Sequence, residues 1–193
     1  SRAHRDRPDD LGLLLARFDA AQQAGDAAAA GKLVEEVRRV DGATGATARL
    51  VEALDRIRIA EGLPAGDSPR ADHLSKAADL LSRVDGQRPG WARAVLARGA
   101  VADLQGDRAA AADRLQQAVD LGARDPKVVR RLLQLLADQR RYADANQLLR
   151  KLPAAELVGA DALAADVSLR SGDFDRALRI AAGAVPADET DPQ

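Results

Sequence analysis

The chain of 193 residues carries 29 basic and 30 acidic side chains, a formal net charge of -1, and no cysteine or methionine. Balanced charge excludes the strong positive field of a nucleic-acid binder, and the missing cysteines exclude disulfides, thiolate metal sites and a cysteine nucleophile. Hydrophobic residues make up 46% but aromatics only 2%, and a mixture dominated by Ala, Leu, Arg, Gln and Glu predicts an all-α fold.

In chain order, residues 1–8 read as a polar tail or linker that includes His4. The lack of any methionine predicts a processed or excised piece of a longer protein. The first helix is expected over 9–24. Its apolar run LGLLLARF is broken by Arg17 and Asp19, too short for a membrane span and poorly shaped for a signal peptide. AGDAAAAGKL (24–33) resembles a phosphate-binding loop only superficially. That motif needs four residues between its glycines and a Ser or Thr after the lysine. Here five separate Gly25 from Gly31, and Leu33 follows Lys32. A turn and a second helix over 26–40 account for it better. DGATGAT (41–47) reads as a loop in which Thr44 or Thr47 caps a helix over 46–61. EGLPAGDSPR (61–70) is rich in glycine and proline and reads as an insertion. Helices are expected next over 71–85, 91–105, 107–121 and 126–139. Three more follow over 141–152, 155–171 and 173–184, and 187–193 reads as a second tail.

These segments recur. An alanine just after a Gly-Asp signal or its equivalent falls at Ala77, Ala111, Ala145 and Ala177, at steps of 34, 34 and 32. Four residues on come Leu81, Leu115, Leu149 and Ala181, and three further Val84, Ala118, Leu152 and Ala184. The spacing i, i+4, i+7 places each trio on one helix face. A first copy carries Ala30, Val34 and Val37, set 47 residues before Ala77, which is one period plus the insertion. Gly25, Gly106 and Gly172 suit the left-handed closure of a helix. Asp26, Asp107 and Asp173 suit the cap of the next. QRRYADANQLL, from Gln139, keeps that layout with Arg-Arg in place of Gly-Asp. Upstream of each signal lies another amphipathic segment. Over 127–138, Val129, Leu132, Leu133 and Leu136 share one side, and Lys127, Arg130, Arg131, Gln134 and Asp138 the other. Each unit is therefore helix, tight turn, helix.

A period near 34 is that of a helical repeat array, and the chain resembles the tetratricopeptide repeat family in a degenerate, bacterial-type form. Val95, Arg98, Gly99, Ala102, Ala111, Leu115 and Ala118 fill the family's slots in one copy. Val129, Leu132, Leu133, Leu136, Ala145, Leu149 and Leu152 fill them in the next. The family's large aromatics are mostly missing, and Trp91 stands four residues before its slot. The resemblance implies a right-handed α-solenoid of antiparallel helix pairs, about 4–5 repeats, over residues 9–186.

It also implies a non-catalytic scaffold that binds a protein or peptide in a concave groove lined by the first helix of each pair. That geometry puts Arg93, Leu96, Ala100 and Asp103 beside Lys127, Arg130, Gln134 and Asp138, with Asp166 and Arg170 continuing the line. Lys127 and Arg130 are placed to grip a carboxylate or acidic peptide. The family's lysine with an asparagine one turn on is not reproduced. The alternative is an architectural spacer or self-associating module of a larger chain, and a more remote one is a regulatory segment of an enzyme. No catalytic residue, cofactor or metal is expected, nor binding to nucleic acid or insertion into a membrane. His73 beside Asp72 and Ser75 reads as a solvated histidine, because neighbours on one helix cannot align nucleophile, base and orienting group. Trp91 and Tyr142 read as packing residues. The compartment is unassigned: cytoplasmic by default, with a periplasmic or membrane-tethered parent left open.

Overall fold

The computed structural model describes residues 10–153, 157 and 159–184; both expected tails and His4 lie outside them. Ten helices and no strand occur among the described residues. They are α1 (Leu11–Gln23), α2 (Ala27–Asp41), α3 (Ala46–Glu61), α4 (Ser68–Gln87), α5 (Ala92–Leu104), α6 (Arg108–Asp120), α7 (Pro126–Asp138), α8 (Tyr142–Lys151), α9 (Asp161–Arg170) and α10 (Phe174–Ala184). The chain divides into two compact units, one ending at Asp107 and the other beginning at Arg108.

In the first unit α1 packs on α2, α2 on α3, α3 on α4 and α4 on α5. Phe18, Leu14, Leu33 and Val37 form one cluster, and Leu50, Ile57, Leu74, Leu81 and Val84 a second. Burying each such side chain stabilises by roughly 1.5–3 kcal/mol. The expected insertion is not a bulged loop alone. The connection spans 62–67, and α4 begins at Ser68, three residues earlier than the periodicity predicts. Pro69 is tolerated there because a first-turn amide has no intrahelical acceptor. Arg70 fixes the connection by donating to the carbonyl oxygens of Leu63 (2.9 Å) and Leu104 (3.2 Å). Trp91 is half-buried against the second cluster, with the Arg88 guanidinium 4.0 Å from its ring centroid, as a packing residue should be.

In the second unit α6 packs on α7, α7 on α8, α8 on α9 and α9 on α10. Val129, Leu132, Leu133 and Leu136 of α7 are buried as the helical period requires, and Leu135 joins them. The buried face of α7 is wider than one stripe because α6, α8 and α9 all pack against it. The helix expected over 155–171 begins only at Asp161. Gly159, at φ +74°, turns the chain before it, and residues 154–156 and 158 lie outside the described set.

The Gly-Asp signal is a backbone hydrogen-bond motif. Asp26 N–H donates to Ala21 O and Gly25 N–H to Gln22 O. The same two bonds recur from Asp107 and Gly106, from Arg141 and Arg140, and from Asp173 and Gly172. This is the Schellman closure, whose penultimate residue is left-handed. Arg140 takes φ +58° where the other copies have glycine, the one non-glycine residue at positive φ among those described. Asp26 then accepts from Ala29 N–H (2.9 Å) and Asp173 from Arg176 N–H (3.3 Å), capping the helices that follow.

One cap differs from expectation. Neither Thr44 nor Thr47 caps α3: Gly45 occupies the cap position and Thr47 is buried in the first turn. Asp41 reaches forward from the end of α2 instead, and one carboxylate oxygen accepts from Thr47 N–H (2.8 Å) and Ala48 N–H (3.0 Å). The charged oxygen accepts from two otherwise free first-turn amides, and its negative charge also suits the helix N-terminus. A β-carbon at position 45 would collide with the Asp41 carboxyl group and its backbone oxygen, so glycine is required there.

Candidate functional site

The supposed phosphate loop is absent as a loop, since Gly31 and Lys32 lie inside α2. His73 lies on α4, half-buried rather than solvated, and its Nδ1 is buried without a hydrogen-bond partner. Its neighbour Leu74 is buried in the core. No cluster of three metal-ligating side chains occurs among the described residues. No helix among them is long and apolar enough to cross a membrane.

The groove residues divide between the two units. On α5, Arg93 forms a fork with the Asp19 carboxylate of α1, one arm at 3.0 Å. This pair ties α5 to α1, so the guanidinium is already engaged. Leu96 and Asp103 are half-buried on the same helix, and Asp103 is not free either. Ala100 packs against the Leu50–Val84 cluster.

The second unit holds the rest. Gln134 donates to Asp138 (2.9 Å), which also accepts from Arg108 at 3.4 Å. On α9, Arg170 donates to both oxygens of Asp166 at 2.8 Å, and its guanidinium lies 5.6 Å from the centroid of the Tyr142 ring. Hydrogen bonding and charge from the Asp166 carboxylate, with a smaller contribution from the polar end of Tyr142, hold the Arg170 guanidinium above its already high pKa. Lys127 and Arg130 differ from all of these. Both are exposed on α7, one turn apart, and neither side chain pairs with a carboxylate among the described residues. Asp125, the acid nearest in sequence to Lys127, is occupied in accepting from the Lys127 backbone amide at 2.8 Å. Arg130 extends toward the turn before α9, where a β-carbon at Gly159 would come within 3.3 Å of its Nη1.

Neither a family model nor a curated protein matches the chain. Solved structures do. TTC0263, a thermophilic TPR protein of Thermus thermophilus, is 20% identical and superposes with a TM-score of 0.61 over 94% of this chain and 84% of its own. The chain has the tetratricopeptide-repeat fold. The MamA protein (16% identity, TM-score 0.58, 89% of this chain and 88% of that one) is similar in the same way. So is PilW, a widely conserved type IV pilus biogenesis factor (16% identity, TM-score 0.56, 94% and 80%). At these identities the likeness concerns the fold alone, and it bears out the all-α repeat architecture read from the 34-residue period.

Within that fold, sequence reasoning missed a second surface feature. Leu169, Phe174 and Leu178 are 54%, 65% and 71% exposed. They line an open apolar groove between α9 and α10 with Ala165, Ala177 and Ala181. The signal was legible: Phe174, Leu178 and Ala181 recur at i, i+4, i+7 of the last helix, a stripe that adjoins the alanine register and shares Ala181 with it.

Proposed function

We propose that the chain is a non-catalytic scaffold that binds a protein or peptide partner, and that the exposed face of α7 is its point of contact. The observation that supports this reading is that Lys127 and Arg130 have no carboxylate partner among the described residues. On two other first helices the corresponding cations are matched, Arg93 by Asp19 and Arg170 by Asp166. Lys127 also stands in the first turn of α7, where a positive charge opposes the helix dipole by about 0.3–1 kcal/mol. A charge that brings its own helix no stability, next to a second of the same sign, suits an acidic ligand. Arg130 offers a carboxylate a bidentate fork, and Lys127 a point charge beside it.

The experiment is titration of the protein with acidic, neutral and basic peptides of matched length at two salt concentrations. The acidic set should bind, more weakly as salt rises. Lys127→Glu with Arg130→Glu should abolish that binding while leaving the far-ultraviolet circular dichroism unchanged, because both positions are exposed. Equal binding by the double variant would remove the assignment.

A further inference from the structure

The apolar face of α10 is the place where the repeat register ends without cover among the described residues. Position for position, Ala145 and Leu149 on α8 are fully buried because α9 packs on that pair. Their equivalents one period on, Ala177 and Ala181, are half-buried and exposed. Asn146 is buried, and its equivalent Leu178 is 71% exposed. The sequence thus places its largest apolar side chains of this helix where the fold leaves them in water. An exposed apolar cluster of this kind marks an interaction surface.

We infer that this face pairs with the same face of a second copy, the two α10 helices lying antiparallel about a two-fold axis near Ala177. The inference is independent of the α7 reading. It rests on charge complementarity along one edge of the stripe. Asp175 and Arg179 are exposed, one turn apart on the same edge, and neither forms an ion pair among the described residues. In an antiparallel pair related by a two-fold axis, like edges face each other and residue order reverses. An axis near Ala177 therefore sets Asp175 of each copy opposite Arg179 of the other, forming two ion pairs. The same register sets each Phe174 between the Leu178 and Ala181 of its mate, large against small. With a net charge of -1, little long-range repulsion opposes association. The face is a single-helix stripe, so the dimer is a weak one that forms toward the upper end of the concentration range below.

Sedimentation equilibrium from about 1 µM to 1 mM tests this. The mass should rise from 20.4 kDa toward twice that value. Leu178→Glu should raise the dissociation constant at least about tenfold, as expected for a charge placed in the centre of an apolar contact. Asp175→Arg and Arg179→Asp should each weaken the dimer several-fold, and the two together should restore it, since exchanged charges still complement. Because the chain has no cysteine, Leu178→Cys should cross-link to itself on mild oxidation, whereas Gly183→Cys, on the opposite side of the helix, should not. The cross-linking arm does not depend on the charge variants keeping the first turn of α10. A monomer at every concentration overturns the inference, whether the residues after Ala184 or a different protein take the face. A dimer indifferent to Leu178→Glu, or one that the double charge exchange fails to restore, overturns it as well.

Discussion

Ala77→Leu tests whether the alanine register is a packing requirement. Ala77 is fully buried on α4, enclosed by a cluster that contains Leu50, Ala53, Ile57, Leu74 and Leu81. Leucine adds three carbons. Were there room, they would stabilise by roughly 0.8 kcal/mol each. Because the site is closed, α3 or α4 must shift or a neighbour must leave its rotamer, and the expected net cost is about 1–3 kcal/mol. The internal control is Ala177→Leu, at the same register but half-buried beside the open α10 groove. There the added carbons meet space, and the change should be neutral or slightly stabilising. The assay is urea denaturation followed by two probes. Circular dichroism reads all the helices, and fluorescence of Trp91, the sole tryptophan, reads the cluster around Ala77. Ala77→Leu should lower the fluorescence midpoint, with an unchanged slope. Ala177→Leu should leave it in place. A neutral Ala77→Leu, or equal shifts for the two variants, would show that helix propensity rather than close approach selects alanine.

Gly45→Ala should cost about 1–3 kcal/mol in the same denaturation, since its methyl group displaces the Asp41 carboxylate from two amides of α3. Arg140→Gly should stabilise by about 1 kcal/mol: it removes a left-handed strain of roughly 1–2 kcal/mol, partly offset by greater freedom of glycine in the unfolded chain. The carboxyl of Asp173 is held below its ordinary range by the Arg150 guanidinium at 2.8 Å, helped by Asn146 and the Arg176 amide. A lowered pKa contributes stability above the unfolded value of about 3.9 and loses it as pH falls through the folded value. The thermal midpoint of the wild type should therefore exceed that of Asp173→Asn at pH 7, and the difference should shrink as pH falls below the unfolded value and through the lowered folded one.

The helices and their order are most legible where two signals agree, a closure glycine at Gly25, Gly106 or Gly172 and an apolar period of 3.6. Where one signal is ambiguous the reading departs locally from the structure. The threonines of DGATGAT look like caps because hydroxyls cap helices. The sequence alone does not show that Asp41, six residues before Thr47, folds back over a glycine that leaves it room. Pro69 reads as a boundary, although a first-turn proline is compatible with the helix that starts at Ser68. The groove residues are legible as faces but not as partners. Nothing local in α5 says that Arg93 meets Asp19, 74 positions earlier. Lys127 and Arg130 are legible as cations on the groove face, but that they lack a carboxylate where Arg93 and Arg170 have one is visible only in the fold.

The last helix pair shows why burial is a property of the neighbour and not of the residue. Leu149 and Ala181 hold one register position, and so do Asn146 and Leu178. In the earlier pair the position that is covered carries a polar Asn146, whose Nδ2 reaches Asp173 at 3.4 Å. In the last pair the uncovered position carries leucine. If that face only met water, leucine there would bring nothing and would promote non-specific association. Its presence, with Phe174 one turn before and a self-complementary Asp175–Arg179 edge beside it, is the pattern of a surface meant to be covered. The two surfaces then differ in kind. The cations of α7 favour a charged ligand and weaken steeply with salt, whereas the α10 pairing buries apolar area beside its two ion pairs and weakens less. Ionic strength alone should separate one association from the other.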